Sequence, residues 1–148
     1  MTQRQRYVAS YLGLMVVGNF LWEFAQMPLY VVWQTGSVRE IIYNGLHCTL
    51  GDVLIAAAAL AAAITFAGGQ SWPSGGRLRV ATAAIVASLA YTAFSEWLNV
   101  YVRQSWAYSE LMPIVPGTGI GLSPMLQWIL VPTAAFYVAG RRPHFAKR

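Results

Sequence analysis

Charge is scarce in this chain. Only 10% of its 148 residues are Asp, Glu, Lys or Arg, and five residues carry a carboxylate. Soluble domains usually hold roughly 25% charged residues, and a water-soluble core of this size would leave large apolar patches on its surface. Cysteine is almost absent: Cys48 stands alone, which excludes an internal disulfide and any Cys-x-x-Cys redox pair. No basic stripe with interleaved aromatics runs along the chain, so nucleic acid is excluded as a partner despite the net charge of +5. No internal repeat or second domain is visible. The glycine run "GTGIG" has no preceding strand and the wrong spacing for a dinucleotide fingerprint.

What the chain does have is apolar length. It is 57% hydrophobic, with a mean hydropathy of +0.47. A bilayer core about 30 Å thick takes roughly 20 apolar residues in a helix. Four segments qualify, at about 7–33, 41–67, 80–102 and 122–139. They predict an all-α polytopic membrane protein, a four-helix transmembrane bundle forming one domain over 1–148. Between the spans lie "QTGSVRE", "GGQSWPSGGR" and the long "SELMPIVPGTGIGLSP". Aromatic residues, among them Tyr7, Tyr30, Trp33, Trp72, Tyr101, Trp106 and Tyr137, mark the span ends as interfacial belts do. The basic start and apolar run of the first segment resemble a signal peptide. The run continues past a signal's length without a small-x-small cleavage site, so an uncleaved span is expected. Eight basic residues (Arg4, Arg6, Arg77, Arg79, Arg141, Arg142, Lys147 and Arg148) fall on one side of these spans, and Arg39 and Arg103 on the other. The positive-inside rule then predicts cytoplasmic N- and C-termini in a bacterial inner membrane.

Polar residues recur inside the spans at helical spacing. Asn19, Glu23 and Gln26 share one face of the first. Asn44, Cys48 and Asp52 recur every four residues in the second, with His47 beside them. Thr92, Glu96, Asn99 and Arg103 form a stripe in the third, and Gln127 and Trp128 lie in the fourth. At about 1.5 Å per residue, Glu23 and Glu96 each lie roughly 24 Å from the cytoplasmic start of their spans. The expectation is one polar layer in the outer half of the bilayer, above an inner half rich in Ala and Val that lets helix backbones approach.

A charge at this depth costs several kcal/mol, about 2.5–3.5 on insertion scales, and such residues default to function. Glu23, Asp52 and Glu96 converge with one base, Arg103, and one imidazole, His47. Three close carboxyls cannot all ionise, so at least one is expected to be protonated. The candidate ligand-binding set is Glu23, Gln26, Asn44, His47, Asp52, Glu96, Asn99, Arg103, Trp106 and Gln127. If the protein is an enzyme, Glu23, Asp52 and Glu96 are its candidate acid–base groups. A divalent metal ion held by His47, Asp52, Glu23 and Glu96 is a further version of the site. Each residue also has a plainer role: Asn19, Thr92 and Asn99 as hydrogen bonders between helices, Glu96 with Arg103 as a structural ion pair, Cys48 as a small packing residue. The third loop is long enough to fold back over the bundle mouth as a lid, bringing Glu110 to the same vestibule.

The phrases "FLWEFAQMPLY", "HCTLGDVLIA" and "SEWLNVYVRQSWAYSELMP" resemble those of small, uncharacterised four-helix bacterial inner-membrane proteins. In architecture the chain is also similar to the EXPERA group of sterol-isomerase and sigma-2-receptor type bundles. Those use acidic residues within a helical bundle to bind cationic or carbocation-like lipophilic ligands. The signature motifs of membrane aspartyl peptidases, diacylglycerol kinases and glutathione-using membrane enzymes are absent. Three functions remain open on these grounds. The first is binding of a small cationic or lipophilic ligand at an acidic pocket. The second is acid–base chemistry on a lipid or isoprenoid. The third is a structural subunit whose polar stripe meets another membrane protein or a second copy of the chain.

Overall fold

The computed structural model of the protein describes residues 1–141, and among them it contains helices, turns and two isolated bridges but no strand. The C-terminal Arg142, Lys147 and Arg148, which entered the count of basic residues, lie outside the described residues. The long helices are α1 (Gln3–Gln26), α3 (Val38–Ala63), α4 (Arg77–Trp97) and α5 (Leu122–Arg141), with a single-turn α2 (Val32–Thr35) between the first two. A 3-10 turn, Met27–Leu29, follows α1, and π-helical turns, Ile64–Gly68 and Leu98–Val102, extend α3 and α4.

Local chemistry sets the helix ends. Thr2 and Gln5 close a capping box at α1, and Ser37 and Glu40 another at α3; each satisfies two orphan backbone donors. Ser37 therefore starts the second span at Val38, three residues before Ile41. The first span was expected to reach Trp33 but ends at Leu29, because Pro28 has no N–H to continue the helical ladder. The third span starts at Arg77 and the fourth ends at Arg141, where long basic side chains can reach past the apolar layer.

Neighbouring helices run antiparallel around a ring in which α1 and α4 each pack against α3 and α5. The start of α1, the end of α5 at Arg141 and the turn 69–76 meet at one end of the bundle, here the terminal end. There Ser74 Oγ donates to Gln3 Oε1, and Arg77 Nη1 donates to the Gly140 carbonyl. The half next to this end is filled. Buried Ala56, Ala59, Ala63, Ala84, Ala135 and Ala139 let the backbones close in around Tyr7, Tyr11, Met15, Leu60, Val80 and Phe136. Lipid is as apolar as these side chains, so close packing rather than water exclusion holds such helices together. The tightest approach is at Gly18, where an added Cβ would lie 2.6 Å from Val131 Cγ1.

The outer surface is apolar on every long helix: Val17, Phe20 and Leu21 on α1, Leu46, Leu50 and Leu54 on α3, Phe94 and Trp97 on α4, Ile129 and Leu130 on α5. Asn19, Glu23 and Gln127 are buried instead. Apolar faces outward, polar groups inward and four helices of spanning length are what a bilayer solvent selects. The protein is an all-α, four-helix membrane bundle.

At the opposite end, segments 27–36 and 103–121 zip together into a strap. Tyr30 and Tyr108 form an antiparallel bridge. The Val31 N–H donates to the Ala107 carbonyl at 3.0 Å, and the Ser109 N–H to the Leu29 carbonyl at 2.9 Å. Ser109 Oγ adds a bond to the Pro28 carbonyl. Further along, Tyr101 OH donates to the Gly119 carbonyl at 2.6 Å, and the chain returns to α5 through a turn closed by Val115 and Ile120. The long loop thus folds back over the bundle end. Glu110 does not face the vestibule: it is exposed because the strap pairing points its neighbour Ser109 inward instead.

Candidate functional site

Beneath the strap lies a cavity of about 680 Å³. Its back wall comes from α1 and α5, whose lining residues Glu23, Gln26, Pro124, Gln127 and Trp128 are all buried. Its exposed lining residues, including His47 and Leu54 of α3 and Tyr91 of α4, lie on the other two long helices and the strap. The mouth therefore follows the seam between α3 and α4. Trp128, 1% exposed, closes the cavity against the filled terminal half.

All ten residues of the expected ligand-binding set line this one cavity: Glu23, Gln26, Asn44, His47, Asp52, Glu96, Asn99, Arg103, Trp106 and Gln127. They are not equivalent. The centre of the network is Gln127, held by α5 one turn into the bundle. Its Nε2 donates to Asn19 Oδ1 at 3.1 Å, Glu23 Oε1 at 3.0 Å and Asp52 Oδ2 at 2.8 Å. Gln26 Nε2 donates to the same Glu23 oxygen at 2.8 Å, and its own Oε1 accepts from Ser123 Oγ. The four-residue helical spacing that put Asn19 and Glu23 on one face thus delivers both to one amide on another helix. The Glu23 and Asp52 carboxyls are thereby gathered on one nitrogen.

Glu96 faces this group from α4. Its partner is Tyr108, whose O–H donates to Oε2 at 2.5 Å while the phenol oxygen accepts the Gly121 N–H at 3.0 Å. The expected ion pair of Glu96 with Arg103 does not form. The π turn after Trp97 widens the coil, with the Arg103 N–H bonded to the Leu98 carbonyl, so the straight seven-residue stripe is lost and Arg103 ends exposed at the rim. Asn99 turns back to the Ser95 carbonyl of its own helix. Trp106 presents its indole N–H to the Glu96 carboxyl, buried but short of full hydrogen-bond geometry. Burial, and then the adjacent Glu96 carboxyl, hold the Tyr108 phenol above its ordinary range; Tyr30, more deeply enclosed, is raised for the same reasons. Both phenols stay protonated as donors at neutral pH.

The metal set is corrected. Among the described residues no three His, Cys, Asp or Glu side chains come together as ion ligands. His47, one position round the helix from Cys48, is exposed and stacks on Tyr43 with ring centroids 5.6 Å apart, and Glu96 is bonded to Tyr108 rather than to the other carboxyls. Asp52 and Glu23 meet on the opposite side of α3. Tyr108 is a site residue that the sequence does not reveal. Nothing in its spacing marks it, because it belongs to a loop without periodicity and reaches Glu96 only through the strap pairing.

Compared with models of known protein families, with curated proteins and with solved structures, the chain matches none.

Proposed function

We propose that the protein binds a small lipophilic cation in this cavity. The observation that carries the reading is an imbalance: three carboxyls from three helices line one space, and their hydrogen-bond donors are amides and a phenol, with no Arg or Lys among them. A cavity of about 680 Å³ falls within the size of small-molecule sites, roughly 300–1,000 Å³. The mouth suits an amphiphile, since Leu54 and Tyr91 border it beside Asn44 and Asp52. Cationic headgroups also stack favourably on aromatic faces, and Trp128 and Tyr30 supply such faces. The basic-residue count supports a bacterial inner-membrane location with cytoplasmic termini, which sets the cavity in the outer half of the bilayer.

Binding of quaternary ammonium amphiphiles to detergent-purified protein tests the proposal. Cations are expected to bind and uncharged analogues of the same shape are not. Glu23→Gln keeps most of the hydrogen bonds, so it should fold normally and lose at least tenfold in affinity. Equal binding of charged and uncharged analogues would refute the proposal.

A second reading, acid–base chemistry on a lipid or isoprenoid, draws on Glu96, which lines the cavity and accepts from Tyr108 behind it at 2.5 Å. Product formation from a cavity-bound isoprenoid, lost in both Tyr108→Phe and Glu96→Gln, distinguishes it from simple binding.

A further inference from the structure

Two carboxyls gathered on one amide nitrogen, Glu23 at 3.0 Å and Asp52 at 2.8 Å from Gln127 Nε2, need a hydrogen between them. Gln127 cannot supply it. Its amide has two N–H hydrogens and already faces three oxygens, on Asn19, Glu23 and Asp52. No positive charge replaces it either. The titratable groups nearest the pair are Cys48 on α3, Glu96 on α4 and Tyr30 on the strap; His47 and Arg103 line the same cavity but are exposed and bond to neither carboxyl, while α5 contributes Gln127 and Trp128. Close carboxylates without a cation repel, and such a pair takes up one proton that belongs to both. Glu96 differs in receiving its hydrogen from Tyr108.

The cavity also holds an unmet polar group. Thr92, one turn before Glu96, is 6% exposed and lines the cavity, yet its Oγ1 has no hydrogen-bond partner. Buried polar groups left this way cost about 1–3 kcal/mol, and the cavity is where Thr92 would find a partner.

We infer, on the basis of the cation-binding reading above, that cation binding here is coupled to release of the one proton shared by Glu23 and Asp52. The arriving cation takes the proton's place as countercharge. One carboxyl O–H bond breaks, its electron pair stays on the oxygen, and the proton passes to water. One positive charge enters the site and one leaves, so the charge of the site is unchanged. The dependence on pH follows in sign: raising the pH removes the competing proton and tightens cation binding.

Titration calorimetry with tetraphenylphosphonium tests the coupling, because this cation has no ionisable proton of its own. Runs in two buffers of different ionisation enthalpy count the protons released by the protein. The expected result is about one proton per bound cation, and a Kd that falls about tenfold per pH unit while the pair is protonated. In Asp52→Asn the release should vanish and the pH dependence should flatten; Glu23→Gln serves the same purpose if that variant does not fold. Glu96→Gln should weaken binding but still release about one proton. Wild-type binding without proton release, or full release from Asp52→Asn, overturns the coupling and leaves the cation site standing. No binding of tetraphenylphosphonium at any pH removes the cation site, and the coupling with it.

Discussion

At the scale of single residues, Gln127 decides the architecture of the site. One amide joins α5 to α1 through Asn19 and Glu23, and to α3 through Asp52. Replacing it with Leu would take the donor from the Asn19 and Asp52 oxygens, while Glu23 keeps Gln26. At about 1–3 kcal/mol for each unsatisfied group, Gln127→Leu should cost at least about 2 kcal/mol and lower the melting temperature in detergent. Glu23→Gln, by contrast, should melt close to wild type. Asn19, Glu23, Gln26, Asp52 and Gln127 were legible in the sequence because polar residues at helical spacing inside apolar runs are costly in lipid and so turn toward one another. The failure of the Glu96–Arg103 pair was not legible, since a π turn adds a residue to the coil without any mark in composition.

Among the elements, the strap is the least predictable from sequence and the easiest to perturb. Its pairing joins residues some eighty positions apart through backbone bonds, and neither segment carries a period that would announce the match. Apolar length, in contrast, located all four spans to within about four residues, the end of the first being set by Pro28. Tyr108 is the strap's anchor to the bundle. Tyr108→Phe removes the donor to Glu96 and the acceptor for Gly121, an expected loss of about 1–3 kcal/mol. It should appear as faster proteolysis and hydrogen exchange within 109–121, with helix content unchanged. The raised phenol pKa gives the pH sign. An anchor that depends on the protonated phenol is fully present below its ordinary value near 10 and is lost as the pH rises through the higher value in the folded protein. Strap protection should therefore persist at pH 10 and fail only in stronger base.

For the whole molecule, orientation is the property that fixes which compartment the cavity serves. A reporter fused at the C-terminus should register the cytoplasm. A cysteine at Thr118, exposed on the strap turn, should react from outside with an impermeant reagent in a Cys48→Ala background. The reverse pattern would turn the cavity toward the cytoplasm. The packed terminal half has an electrical consequence. Because Trp128 and the Ala-lined core close the cavity at that end, a cation that enters and a proton that departs must use the same opening and cross the same fraction of the transmembrane field. An elementary charge moved through the whole field exchanges about 2.3 kcal/mol per 100 mV. Here the inward and outward displacements cancel. Cation affinity in energised vesicles should therefore be indifferent to membrane voltage, and binding should generate no capacitive current.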